Sequence, residues 1–508
     1  MAILPFVSFI AIKSGSPEDL LDRTLQTSEN ISWEANGTII CDADFAQVSP
    51  KMISDGSGGA IIVWIDSRFS GTTGFDIYAQ KINSAGAVQW TTNGTVICNA
   101  TGNQLNHQIA SDGSGGAIIT WEDIRNSNVA IFAQKINSAG ITQWDANGTV
   151  ICNATADNYK PQIVSDDLGD AIISWGHDNG ITDIHIYAQK INSAGITQWD
   201  DNGTVICNAT GDQEVSRIVS DGSGGAIITW EDLRGPNTDI YAQKINSAGI
   251  TQWDANGTII CNATGEQLDQ QITSDNAGGA IITWEDLRGP NTDIYAQKIN
   301  SAGITQWDDN GTVICNATGE QLYHQIASDG SGGLIITWRD NRNSGITNTD
   351  IYAQKIDSTG ITQWTTNGTV ICNATNVQYN PQIASDGAGG AIITFTWIYD
   401  IYTQKINSAG ITQWNANGTA VCTDTGDQFG QEIVSDGAGG AIITWHDYRG
   451  PDSDIYAQKI SDPPSNGGNG GNGGPIPGFD LVIIGVISAI SVIIITKMHN
   501  KKNKLMFN

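Results

Sequence analysis

The chain has 508 residues, ample for a large core, and its formal net charge is −29, from 53 acidic against 24 basic side chains. Such a field repels phosphate backbones and disfavours nucleic-acid partners. It suits an exposed ectodomain, or one that attracts cations.

Met1 to Ile12 is apolar enough for a signal-peptide core, but no Lys or Arg precedes it. Residues 1–29 are therefore read as a truncated signal segment and linker. From residue 30 to 460 the chain consists of eight near-copies of one unit of about 54 residues, and this self-similarity is the strongest signal in the sequence. The fourth copy reads SDGSGGAIITWEDLRGPNTDIYAQKINSAGITQW, followed by an NGT-x-IC-NAT connector. Apolar residues alternate in AIITW and DIYAQKI, the period of a strand, and Asp/Gly/Ser and Asn/Ser/Ala/Gly turns separate the runs. No helical periodicity interrupts the array. The unit is read as four strands, QIAS, AIITW, DIYAQKI and ITQW, with NGTVIC as a short fifth strand or a bridge.

Four-stranded units of this length, repeated four to eight times, point to a β-propeller, with a linear solenoid as the competitor. The array opens on an ITQW-type segment, Asn30 to Trp33, and closes after DIYAQKI, Asp454 to Ile460. That offset suits a ring whose N-terminal strand completes the last blade. The expected fold is all-β, an eight-bladed propeller followed by one C-terminal transmembrane helix.

Each landmark of the unit has a structural reading. The tryptophans are packing groups. In the seventh copy Phe395 replaces the strand tryptophan, and Trp397 is expected to compensate. The eight cysteines, Cys41 to Cys422, sit in equivalent slots one blade apart, too far for disulfides, and are expected reduced and buried. W-x-D-x-R occurs six times, as in Trp230-Asp232-Arg234, and repetition argues against a catalytic pair and for a hairpin-end ion pair. No catalytic residue, cofactor or metal ligand set is assigned. The SDGSGG turns leave Ca²⁺ open as an option, although one carboxylate per turn supplies few ligands.

A varying triplet precedes each first strand. Its symmetry-breaking members are Asn106, His107, Tyr159, Lys160, Glu214, Asp269, Tyr323, His324, Tyr379, Asn380 and Phe429. Placed around one mouth of the ring, they form the candidate ligand-binding surface, with drift of unused loops as the competing reading. Sequons recur as NGT at Asn36, Asn93, Asn147, Asn202, Asn256, Asn310, Asn367 and Asn417. They recur as NAT at Asn99, Asn153, Asn208, Asn262, Asn316 and Asn373. All can accept N-glycans outside the cell, while Asn-Gly also simply makes a turn.

After the array, 461–478 is a Gly/Asn/Pro-rich linker, 479–496 an apolar span, and 497–508 a basic tail. The apolar span is about 27 Å long as a helix, close to a bilayer core, and the basic tail marks the cytoplasmic side. Pro477-Gly478-Phe479, the span and the tail together resemble archaeal surface-protein sorting signals of the PGF-CTERM type. That resemblance implies processing by an archaeosortase and a cell-surface location. The repeats loosely resemble Asp-box and tryptophan-docking propellers, the sialidase-like and quinoprotein-like groups. They are more similar to prokaryotic surface proteins carrying tandem SDG-x-GG…W-x-D-x-R…DIYAQ repeats, a likeness that implies a fold and a location but no reaction. The expected function is a membrane-anchored binding, adhesion or scaffold module for glycans or proteins. An extracellular hydrolase or quinoprotein-type oxidoreductase is the alternative.

Overall fold

A computed structural model describes residues 31–462, apart from 167–168, 179–182 and 347. The leader segment, most of the linker, the apolar span with its sorting motif, and the basic tail lie outside the described residues. The described residues form eight four-stranded antiparallel sheets and contain no helix. Blades 1 to 7 each run through four consecutive strands, as in Gln47–Ser54, Ala60–Asp66, Asp76–Ile82 and Thr95–Cys98. Each inner strand packs on the inner strand of the next blade, and Gln428–Ser435 packs on Gln47–Ser54, so the ring is closed. The protein is an eight-bladed β-propeller.

Closure comes from the N-terminus, but through a different segment from the expected one. Thr38–Cys41 forms the outer strand of blade 8, paired with Asp454–Ile460. The ITQW-type segment ahead of it only docks, through an Ile31–Ile460 bridge and a bond from Ser32 N to Lys459 O at 3.0 Å. The same correction holds in every blade: TVIC, not ITQW, is the fourth strand. ITQW has another task, since its tryptophan spans the seam between blades. Trp90 Nε1 donates to Ser138 O at 3.1 Å, and its ring lies so close to Gly140 that a Cβ there would sit 2.5 Å from it.

The core lies between blades, where each sheet stacks its isoleucines and one fully buried ring, a tryptophan in every blade but the seventh, on the next sheet. W-x-D-x-R is an ion pair, as expected, but a larger one than a hairpin cap. Asp232 Oδ2 accepts Trp230 Nε1 at 2.8 Å and Arg234 Nη2 at 2.5 Å. The guanidinium lies 4.0 Å over the Tyr241 ring and also reaches Asn256 O and Cys207 Sγ, the latter on the preceding blade. All eight cysteines are buried free thiols, and burial pushes most of them up to about 11 or 12, as at Cys207 and Cys98.

Blades 3 and 7 lack the Asp–Arg pair. In blade 7, Phe395 fills the tryptophan slot and stacks on Tyr402 at 6.3 Å, while Trp397 occupies the register position of the aspartate. Trp397 covers Tyr402 at 4.9 Å, so it replaces the arginine lid and not the missing tryptophan.

A second clamp lies at the opposite end of the strands. Asp221 Oδ1 accepts the N–H groups of Ser223 and Gly225, and its Oδ2 faces Lys244 Nζ at 3.2 Å. Lys244 Nζ donates in turn to Gly278 O of the next blade at 2.9 Å. The carboxylate left open for Ca²⁺ thus faces a cation of the chain's own. Among the described residues no three His, Cys, Asp or Glu side chains converge as metal ligands.

Candidate functional site: the upper mouth of the ring

The varied triplets do not precede the inner strands, the expected position, but lie inside them, just after the leading glutamine or asparagine at one end, as in Gln104–Ser111 and Gln213–Ser220. The hairpins between second and third strands open at the same end, because Gln47 pairs with Asp66 and Asp66 with Asp76. This face is called the upper mouth here. What the sequence does not show is a β-bulge in every triplet. Register breaks between Leu105 and Gln108, between Glu214 and Arg217, and at the equivalent points of the other six blades. The middle triplet residue takes a left-handed backbone, with φ of 50° at Asn106, 52° at Lys160 and Asp269, 56° at Tyr323 and 51° at Asn380.

A bulge re-aims side chains, and here it separates the triplet into three roles. The middle residues Asn106, Lys160, Asp269, Tyr323 and Asn380 are exposed. The first residues Tyr159, Glu214, Tyr379 and Phe429 are half-buried beside them. The third residues turn into the seam, so His107 and His324 are buried and do not belong to the exposed surface. His324 Nε2 lies 2.8 Å from Thr283 Oγ1 of the preceding blade, and burial pushes the His107 imidazole down to about 3. Gln431 plays the same part, donating to Asn380 O.

The mouth also contains a second varied set. The residue between Trp and Asp of W-x-D lies directly across from the first triplet residue: Glu214 pairs with Glu231, Leu268 with Glu285, Leu322 with Arg339, and Phe429 with His446. Its signal was legible as an inconstant letter inside an otherwise constant motif. Glu122 Oε1 accepts Lys160 N at 2.6 Å, and Glu231 Oε1 accepts Asp269 N at 2.8 Å, so each carboxylate fastens the bulge of the next blade. Glu285 does the same for Tyr323 N.

These residues divide the mouth into two arcs. Blades 3 to 6 carry charge. Lys160 Nζ is 4.0 Å from Glu214 Oε2, and the Arg339 guanidinium lies 4.6 Å over the Tyr323 ring. Burial, then the Asp269 and Glu214 carboxylates, push Glu231 up to about 7. Blades 7 and 8 carry rings. Phe429 lies 6.0 Å from Tyr399, 6.0 Å from His446 and 6.1 Å from Tyr448. Tyr399 is 37% exposed and Tyr448 45%. Burial pushes His446 down to about 4, so it is a neutral ring in this cluster.

The lower end of the ring holds a cavity of 730 Å³, lined by residues such as Ala110, Ser111, Ile163, Val219, Ser220 and Ser274. Its walls differ between copies only among small or apolar residues, and Asp221 there is committed to Lys244. Volume and chemistry therefore disagree about the site, and the varied mouth carries the chemistry. Among the sequons, the six NAT asparagines are exposed. The NGT asparagines sit in turns with φ near 60° and accept a bond across the seam, as Asn147 Oδ1 does from Asn99 N at 2.9 Å.

No protein-family model matches the chain, and no curated protein matches it in sequence. Solved structures similar to parts of it include the polysaccharide lyase Uly1, at 10% identity and a TM-score of 0.43, covering 88% of this chain and 95% of that one. An endo-arabinase from Bacteroides thetaiotaomicron is 12% identical, with a TM-score of 0.31, over 52% of this chain and 98% of that one. A protein of unknown function from Dyadobacter fermentans is 10% identical, with a TM-score of 0.35, over 84% and 97%.

Proposed function

We propose that the chain is a non-enzymatic binding module displayed at a prokaryotic cell surface, and that it takes glycans or proteins at the upper mouth. One observation carries this reading. Most of the strand and turn positions repeat nearly unchanged, while substitutions concentrate at one end of the blades, in the exposed bulge residues, the buried third triplet residues behind them and the hairpin tips beside them. A uniform ring offers only a symmetric surface, so an asymmetric ligand must be recognised where the copies differ. The test replaces all eight triplets with the copy-four triplet Glu214-Val215-Ser216 and measures binding to a glycan array and to intact cells. Retained folding with lost binding supports the reading; undiminished binding by the symmetrised ring removes it.

The surface location rests on the apolar span at 479–496, the basic tail and the PGF-type motif, with the exposed NAT asparagines in support. External protease on intact cells is expected to release the propeller by cutting within the linker at 461–478. Protection of that linker would refute the topology. Mass spectrometry of the released array would show glycans at Asn99, Asn153 and their equivalents, and archaeosortase processing would appear as a missing C-terminal span.

The enzymatic alternative has one observation in its favour: Glu231 titrates near neutrality beside Glu214 and Asp269, as an acid catalyst would. Against it, Glu231 performs the same bulge-fastening task as Glu122 and Glu285. Turnover of any glycoside substrate that is lost in Glu231→Gln would reverse this preference.

A further inference from the structure

Blade 7 departs from the repeat in a way that folding does not require. Its second and third strands are joined by only two residues, Ile398 and Tyr399, since Trp397 pairs directly with Asp400. Both have positive φ, 48° and 72°. A two-residue hairpin turn of this kind favours Asn-Gly, and a β-branched residue at positive φ is a rare, strained choice. The other blades with an intact motif use longer hairpin tips and avoid the strain. Strain of this sort marks places where something other than stability is selected. What the tight turn achieves is visible. It sets Tyr399 edge-on against Phe429 of the next blade, at an interplanar angle of 78°, with Tyr448 forming the far side of the same cluster at 71° to Phe429. No other part of the described ring sets two exposed rings, here Tyr399 and Tyr448, against one shared half-buried ring; the remaining ring pairs are mostly the buried stacks repeated in every blade.

The polar groups around these rings narrow the ligand. Asp427 is half-buried at the patch, its backbone carbonyl accepting Tyr448 N at 3.0 Å. A carboxylate accepts hydrogen bonds and repels anions. Arg449, next to Tyr448 in the chain, is already held by Asp424 at 3.1 Å and Asp447 at 2.6 Å, so its charge is paired within the protein. Exposed rings with an acceptor beside them, in a chain of net charge −29, suit a ligand with apolar C–H faces, hydroxyl donors and no negative charge.

Resting on the binding reading above, we infer that the Tyr399–Phe429–Tyr448 patch of blades 7 and 8 is a stacking site for a neutral saccharide. Asp427 accepts from its hydroxyls, and the charged arc of blades 3 to 6 lies outside this site. The full chain in detergent would be titrated calorimetrically with cellohexaose, mannohexaose and, as the anionic arm, oligogalacturonate. Binding of a neutral oligosaccharide is expected, and Tyr399→Asn and Tyr448→Ala should each weaken it about tenfold or more, roughly 1.4 kcal/mol. Asparagine tolerates the left-handed turn, so Tyr399→Asn keeps the hairpin, and an unchanged melting curve would verify this. Ile250→Ala, exposed in a turn at the lower end of the ring and outside the mouth, is the control and should leave the affinity unchanged.

Three results would overturn the inference: no heat with either neutral oligosaccharide at millimolar concentration, preference for oligogalacturonate, or loss in Ile250→Ala with none in Tyr399→Asn. The second leaves the mouth as the binding face and refutes only its neutral-sugar assignment. Loss of the broader reading would instead appear as full binding by the ring with symmetrised triplets.

Discussion

The seams between blades and the upper mouth are built from the same repeats, yet they obey opposite rules. At the seams the repeated charged groups are committed, many of them across to a neighbouring blade. Arg234 serves Asp232, Asn256 and Cys207 at once, Lys244 links Asp221 to Gly278, and Trp253 Nε1 donates to Ser301 O. At the mouth, side chains are exposed, charges are loosely paired, and residues other than glycine adopt left-handed backbone. The seams specify the ring and the mouth draws on that stability. Mutations should separate the two regions by the size of their effect.

The largest effect is expected from the closing strand. Deleting residues 1–41 removes Ile40 and Cys41 from the core and leaves Asp454–Ile460 as an open edge. It also strips Arg449 of its bond to Asn36 O. Circular dichroism should show the whole array losing stability in one transition, by more than any single seam substitution. Melting that starts in blade 8 alone would mean that the blades are energetically independent.

Next in size is the seam ion pair. Arg234→Met leaves Asp232 buried without its cation, and breaking such pairs costs several kcal/mol, here about 2–4 because the guanidinium is partly exposed. Lys160→Met removes a pair 4.0 Å long at the mouth and should cost under about 0.5 kcal/mol. Equal losses in urea unfolding would erase the distinction between the two regions.

How much of this was legible beforehand follows the same division. Period, strand alternation and turn residues exposed the propeller, because those signals are local and repeated eight times. The identity of the fourth strand was not legible: ITQW and TVIC are both short and apolar, and only the register against DIYAQKI decides between them. Trp397 was misread for a related reason, since its face was right but its partner, Tyr402, depends on pairing. At the mouth the varied triplets were visible, whereas the bulge that hides His107 and His324 has no residue signature; serine, lysine, valine and tyrosine all occupy its left-handed position.

A smaller, pH-dependent effect is expected at Glu231. Its ordinary value is 4.5 and burial holds the folded group near 7. Between those values the folded chain keeps a proton that the unfolded chain has released. This contribution is therefore fully present below about 4.5 and is lost as pH rises through about 7. Glu231→Gln keeps an acceptor for Asp269 N and removes the penalty. It should stabilise the protein at pH 8 by on the order of 1–3 kcal/mol and leave it little changed at pH 4. A variant that is destabilised at pH 8 would show that the charged carboxylate, not its burial, governs the site.

The smallest effect tests whether the mouth stores strain. Val215 is β-branched and holds φ at 49°, a conformation that costs an ordinary residue about 1–2 kcal/mol. Glycine relieves that cost but loses about 0.5–1 kcal/mol through the greater freedom of its unfolded chain. Val215→Gly should therefore gain a few tenths to about 1 kcal/mol in urea unfolding. The backbone carbonyl that takes Gln270 Nε2 would remain in place. Asn106→Gly is the control, because asparagine already tolerates the left-handed region, and its change should be close to zero or slightly unfavourable. Loss of stability in Val215→Gly would mean that the half-buried valine contributes more by packing than its backbone costs. The mouth would then be held by the same forces as the seams, and the contrast between the two regions would rest on chemistry alone.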